Sequence, residues 1–140
     1  MKANVPVSTI MTKNVIKLNL GDDLTKAETL FKKNHIRHIP VVSGNKILGM
    51  LSYTDLLRIS FADAVDEEEI EVDVTVYNMF TIEQVMTRNL VTISPDSSIK
   101  EVAEILAVKE FHALPVVQDE LLVGIVTTTD LIKYLLKQYN

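Results

Sequence analysis

The run Gly49-Met50-Leu51-Ser52-Tyr53-Thr54-Asp55 recurs seventy-five residues later as Gly124-Ile125-Val126-Thr127-Thr128-Thr129-Asp130. Each copy puts a glycine and two apolar residues ahead of a hydroxyl residue and then Thr-Asp. Two chemistries fit. A carboxylate beside hydroxyls can accept hydrogen bonds from the vicinal hydroxyls of a ribose, while donors at a helix start can hold a phosphate. The same residues can instead cap the helix, a side-chain oxygen accepting a backbone N–H. Capping accounts readily for one member of the set and less well for the whole conjunction in duplicate. From the chemistry alone both readings stand.

A second recurring stretch precedes the paired prolines, Arg37-His38-Ile39-Pro40 and His112-Ala113-Leu114-Pro115. The Arg37 guanidinium matches phosphate geometry, and His38 beside it can add a donor. The plain alternative is ordinary surface charge with a histidine packed beside a strand. His35 and His38 have no evident third ligand, which a zinc or iron site requires, so no metal is expected. The chain has no cysteine, which removes thiol nucleophiles, thiolate metal sites and disulfides. Gly-x-Ser-x-Gly, Walker-type and dinucleotide glycine patterns are absent too, and no catalytic constellation can be named. The expectation is a protein that is not an enzyme.

The elements that must position these residues are themselves duplicated. Residues 7–60 lie over residues 82–135 without a gap, with identity at Met11/Met86, Thr12/Thr87, Asn14/Asn89, Pro40/Pro115, Val41/Val116, Val42/Val117, Gly49/Gly124, Thr54/Thr129, Asp55/Asp130 and Leu56/Leu131. A period this long, present only twice, argues against a solenoid and for two halves about a pseudo-two-fold axis. Each copy reads β-α-β-β-α. Short β-rich runs at 15–20 and 90–93 close on turn formers. Helices follow, with Leu24, Ala27, Leu30 and Phe31, and then Ile99, Val102, Ile105 and Leu106, on one face; Ser98 and Glu101 have capping-box spacing. Two hairpins come next, strands 39–42 and 47–51 around Ser43-Gly44-Asn45, and strands 114–117 and 121–126 around Gln118-Asp119-Glu120. Their continuous apolar character predicts burial on both faces. A last helix begins near Tyr53 and near Thr128, the second running to the C-terminus.

Between the copies, residues 63–73 carry seven carboxylates and no basic residue, within a net charge of −5 for 140 residues. The rest of the chain is nearly neutral, so a nucleic-acid surface is not indicated, although Lys32, Lys33 and Arg37 form a local basic patch. The acidic run lacks the glycine and ligand spacing of a calcium loop and reads as a solvated connector. Overlapping its end, Ile70, Val72, Val74 and Val76 alternate with Glu71, Asp73, Thr75 and Tyr77, the period of a half-buried strand; a loop with a few anchoring side chains fits equally. With no run of 18 apolar residues and no signal-peptide pattern, a soluble, cytoplasmic protein without a membrane partner is expected.

The Met-Thr starts (Met11-Thr12, Met86-Thr87), the Pro-Val-Val strands (40–42, 115–117) and the Gly-x-x-[Ser/Thr]-x-Thr-Asp closes, in this order and in duplicate, resemble a tandem pair of cystathionine-β-synthase (CBS) domains. The likeness covers both repeats. It implies an α+β fold of two β-α-β-β-α CBS repeats, residues 1–61 and 81–140 about an acidic connector at 62–80, in a stand-alone regulatory protein. It also implies two clefts for an adenine nucleotide or related adenosyl compound, such as AMP, ADP or ATP, with no other cofactor. Carried over by residue, Asp55 and Asp130 would accept from ribose hydroxyls, with Ser52, Thr54, Thr127 and Thr129 near ribose or phosphate. Thr12, Ile16, Thr87 and Val91 would flank the base, and Arg37, His38 and His112 would meet phosphate. The copies differ where Arg37-His38 faces His112-Ala113, so one cleft is expected to hold a phosphorylated ligand more weakly. A homodimer is expected through Ile59, Phe61, Tyr134, Leu135 and Tyr139, together with a regulated partner protein. A ligand-free dimerisation module is the alternative.

Overall fold

The computed structural model describes residues 4–63, 77–109 and 112–139, with backbone alone at 60–63. The acidic run beyond Asp63, the alternating segment at 70–76 and the Phe61 side chain lie outside the described residues. The chain packs as two compact units, and they are cut differently from the repeats. The first contains Met1–Val15, Asn45–Ile47 and Leu90–Asn140; the second contains Ile16–Gly44 and Leu48–Asn89. Each unit therefore combines the body of one repeat with the Met-Thr segment that opens the other.

In the second unit, β1 (Leu18–Asn19) runs parallel to β2 (His38–Ser43), pairing Leu18 with Val41 and Asn19 with Val42. The strand expected over 15–20 shortens to two residues. Past it the Leu20 N–H still donates to Val42 O at 3.1 Å, while the Asn19 N–H donates to Asp22 Oδ2 at 2.8 Å in the turn that follows. Helix α1 (Leu24–Asn34) starts at Asp23, whose Oδ1 accepts from the Lys26 N–H at 2.8 Å, and ends at His35 in the left-handed region (φ 53°). Leu24, Ala27 and Phe31 are buried along the predicted face, and Leu30 packs beside them. Strand β3 (Lys46–Ser52) follows a two-residue turn in which Gly44 holds φ +64°, a conformation glycine adopts without a Cβ clash. All four residues from Ile39 to Val42 are buried, as continuous apolar character predicts. Helix α2 (Tyr53–Asp63) and the short α3 (Ile82–Val85) complete the unit. The core joins Leu18, Ile39, Val41, Leu51, Leu56, Ile82 and Met86 with Tyr77, whose hydroxyl donates to Glu28 Oε2 at 2.6 Å. The Tyr77 ring is thus buried and its polar tip satisfied.

The first unit repeats this plan. A 3-10 turn at Val7–Thr9 takes the place of α3, burying Val7 where α3 buries Ile82. Helix α4 (Ile99–Val108) starts at Ser98, whose Oγ accepts from the Glu101 N–H at 3.0 Å. The capping box expected there forms in this forward half alone. Both halves form instead at Thr81/Gln84 of α3. Strands β4 (Ala113–Gln118) and β5 (Leu121–Thr127) pair antiparallel, and α5 (Thr128–Lys137) ends the fold three residues short of the C-terminus. Run 90–93 keeps one parallel bridge, Ile93 with Val116, the counterpart of Leu18 with Val41. Ile93 makes both bonds to β4, its N–H donating to Pro115 O at 3.1 Å and its carbonyl accepting from the Val117 N–H at 2.8 Å, and the next residue in that phase is Pro95, which has no N–H to extend the ladder. Asp119 and Glu120 both have positive φ (52° and 68°), so the hairpin turn has the primed geometry that suits strand twist.

Candidate functional site

The recurring glycines mark where the Met-Thr segments dock. In the second unit Thr87 bridges β3 through Met50 N to Thr87 O (3.0 Å) and Thr87 N to Met50 O (2.9 Å). A Cβ at Gly49 would fall 2.5 Å from Met86 Sδ and 2.9 Å from the Thr87 carbonyl oxygen. In the first unit Thr12 bridges Ile125 at 2.8 and 3.0 Å, and a Cβ at Gly124 would meet Met11 Sδ at 2.7 Å and Thr12 O at 3.1 Å. Close backbone approach thus explains Met, Thr and Gly together. It also bridges each Thr to the strand residue two before the hydroxyl that caps the last helix, Met50 before Ser52 and Ile125 before Thr127.

The candidate residues sort cleanly between the units: Thr12, Val91, His112, Thr127, Thr129 and Asp130 in the first, and Ile16, Arg37, His38, Ser52, Thr54, Asp55 and Thr87 in the second. In the first unit Thr127 and Asp130 form a reciprocal capping box. Thr127 N donates to Asp130 Oδ2 at 2.9 Å and Asp130 N to Thr127 Oγ1 at 3.2 Å. Asp130 Oδ1 has no hydrogen-bond partner among the described residues. The Thr12 and Thr129 side chains are exposed, as is His112, whose carbonyl accepts from the Thr128 N–H at 3.0 Å. Val91 is half-buried against the core of this unit.

The second unit matches this backbone plan and departs from it in side chains. The Arg37 carbonyl accepts from the Tyr53 N–H at 2.8 Å, which fixes the start of β2 beside the start of α2. The Tyr53 ring packs on Phe31 with centroids 5.2 Å apart, tying that helix start to α1. Ser52 Oγ accepts from the Asp55 N–H at 3.0 Å, but the Asp55 carboxylate does not return to the Ser52 N–H. It turns to Arg58, Nη1 to Oδ1 at 3.3 Å. Arg37, Thr54 and Thr87 are exposed, while His38 and Ile16 are half-buried.

Capping is therefore present in both copies, through Ser52 and Thr127, and each Asp keeps an oxygen open to a further donor. Two contributors escaped the sequence reading. Met11 and Met86 are docking side chains, a role visible only once the glycine opposite is known. Arg58 is hidden because its repeat equivalent is Lys133, so it carries no duplicated signal. A third feature is electrostatic. The Asn19 N–H, and behind it Lys26 Nζ at 3.2 Å, hold the Asp22 carboxyl below its ordinary value against the opposing effect of burial. Among the described residues no three His, Asp or Glu side chains converge as metal ligands, and no helix is long and apolar enough to cross a membrane.

Units of this build, each with a helix-start carboxylate and a docked Met-Thr segment, define a duplicated β-α-β-β-α module. The CBS domain family model matches residues 7–62 and 82–137, and the chain belongs to that family. Protein MJ1225 from Methanocaldococcus jannaschii is 27% identical, with a TM-score of 0.82 over 96% of this chain and 49% of its own. AcuB from Vibrio cholerae is 27% identical at TM-score 0.80, over 96% and 92%. The CBS domain pair of protein MJ0100, solved with 5′-methylthioadenosine and S-adenosyl-L-methionine, is 27% identical at TM-score 0.77, over 94% and 99%. Among curated relatives, the chain spans 47% of the length of MJ1225 and 31% of that of MJ1404 from the same organism.

Proposed function

We propose that the chain is a regulatory module that binds an adenine nucleotide or related adenosyl compound and passes its occupancy to a partner protein, without catalysing a reaction. The observation that carries this reading is the recurring Asp at a helix start with one oxygen open, at Asp55 and at Asp130. An ionised carboxylate accepts only, and a ribose presents two vicinal hydroxyl donors. Helix-start N–H groups and neighbouring hydroxyls suit a phosphate. Ser52, Thr54, Thr127 and Thr129 take that part, with Thr12, Ile16, Thr87 and Val91 flanking the base. Likeness to the MJ0100 pair, solved with two adenosyl compounds, supports the ligand class. Arg37 and His38 give the second unit a charge that Ala113 cannot supply, so phosphorylated adenosine is favoured there.

Thermal shift and calorimetry against AMP, ADP, ATP, S-adenosylmethionine and GTP test this. Stabilisation by adenosyl ligands, with two affinities at least about tenfold apart for AMP (roughly 1.4 kcal/mol), is expected. No binding by any of them refutes it.

A second reading, a dimerisation module, is favoured by α5. Ile132, Leu135 and Leu136, with Tyr139 just past the helix end, are all exposed at i, i+3, i+4, i+7 spacing, an apolar stripe that no described residue covers. This revises the surface expected from sequence, because Ile59 packs against the core of the second unit and Tyr134 is half-buried. Regulation and dimerisation are compatible. A homodimer that Leu135→Asp splits is expected by sedimentation, and a monomeric wild type at micromolar concentration rejects it.

A further inference from the structure

The two Asp carboxylates are aimed by different devices. Asp130 is held by a backbone donor, the Thr127 N–H at 2.9 Å, a partner that is not itself a mobile charged side chain. Asp55 lacks that bond. Its carboxylate, 20% exposed, is oriented by Arg58, whose own side chain is 74% exposed and one turn further along α2. The Lys133 that replaces Arg58 in the other repeat makes no ion pair with Asp130.

We infer that Arg58 is a positioning residue for the Asp55 ribose contact, so that hydroxyl recognition in the second unit depends on ionic strength while recognition at Asp130 does not. The inference rests on the adenosyl-binding reading. One Asp55 oxygen pairs with Arg58 and the other is open, so the guanidinium fixes the plane in which a vicinal diol meets the carboxylate. An exposed ion pair is weak and screened, and its loss returns Asp55 to several rotamers. A backbone cap is not screened in this way, since it joins neighbours on a rigid helix start.

Adenosine and 2′-deoxyadenosine are suitable probes because neither carries charge, so any salt effect arises in the protein. Calorimetry in an Asp130→Ala background isolates the Asp55 contact, and Asp55→Ala isolates the other. Between low and high salt the preference for adenosine over 2′-deoxyadenosine is expected to fall about two- to fivefold at Asp55 and to stay constant at Asp130. Arg58→Gln is expected to lower that preference to the same degree and abolish its salt dependence, with Arg58→Lys restoring part of both. Lys133→Gln is expected to change nothing. An Arg58→Gln protein with wild-type preference and wild-type salt response overturns the inference while leaving the adenosyl site standing. A wild type that shows no preference for adenosine over 2′-deoxyadenosine also overturns the inference, and failure to bind AMP, ADP, ATP and S-adenosylmethionine as well overturns both.

Discussion

Replacing Asp130 by Ala should cost more stability than replacing Asp55, although both residues open a helix in the same way. Asp130 Oδ2 closes a capping box by accepting the Thr127 N–H at 2.9 Å, and its charge sits in the first turn of α5. The Thr127 cap keeps its Asp130 N–H donor, so the loss is the return bond, about 0.5–1.5 kcal/mol, and the lost charge at the helix N-terminus adds about 0.3–1. Asp55 contributes the same helix-charge effect, but its side-chain bond is an exposed pair with Arg58, worth about 0–1 kcal/mol. The Ser52 cap survives its removal, since the donor there is the Asp55 backbone. Asp130→Ala is therefore expected to lose about 1–2 kcal/mol and Asp55→Ala about half that. For a chain of this size 1 kcal/mol moves the melting temperature by about 3–5 °C. Thermal denaturation without ligand reads the difference, and Asp130→Asn, which keeps an acceptor oxygen, should recover much of the cap. Equal melting temperatures for Asp130→Ala and the wild type would refute the argument that the box forms and matters. Both Ala variants should remain folded, and each should lose the part of the adenosyl-induced stabilisation that its own Asp supplies, which separates binding from capping.

Gly49→Ala should destabilise by about 1–3 kcal/mol in urea denaturation, because the new methyl meets the Thr87 carbonyl at 2.9 Å and a backbone must shift; Gly124→Ala, at 3.1 Å from Thr12 O, should cost less. Glu120→Gly should stabilise by about 0.5–1 kcal/mol, since Glu120 holds φ +68° in a turn that favours Asp-Gly; a lower melting temperature would contradict the strain. Asp22 has a folded-state pKa below its unfolded value, so its contribution is fully present above about pH 4 and is lost as pH falls through the folded value. The stability gap between wild type and Asp22→Asn, followed by denaturation from pH 7 to pH 2, should accordingly shrink only below about pH 4.

Much of the architecture is local and so was legible in the chain. Helical spacing at Leu24, Ala27 and Phe31, and at Ile99, Val102 and Leu106, marks the buried faces, because side-chain direction follows helix period. The apolar runs through Val41–Val42 and Val116 identify strands buried on both faces, and the turn formers between them mark the hairpins. The duplication itself announces two corresponding sets of residues, and Asp55 with Asp130 is legible as a pair because identity survives at both.

Tertiary structure decided what those identities are for. The Met-Thr segments pack against the glycine of the opposite repeat, a contact whose cause is steric and whose partners are 37 or more positions apart in the chain, beyond any local pattern. The same limit hid Arg58, which forms its ion pair in one copy only, and only the rotamers of Asp55 and Asp130 show which carboxylate oxygen each cap or ion pair uses and which it leaves open. Residue type sets what a side chain can donate or accept. Which of its oxygens remains open is set by the neighbours that the fold brings to it.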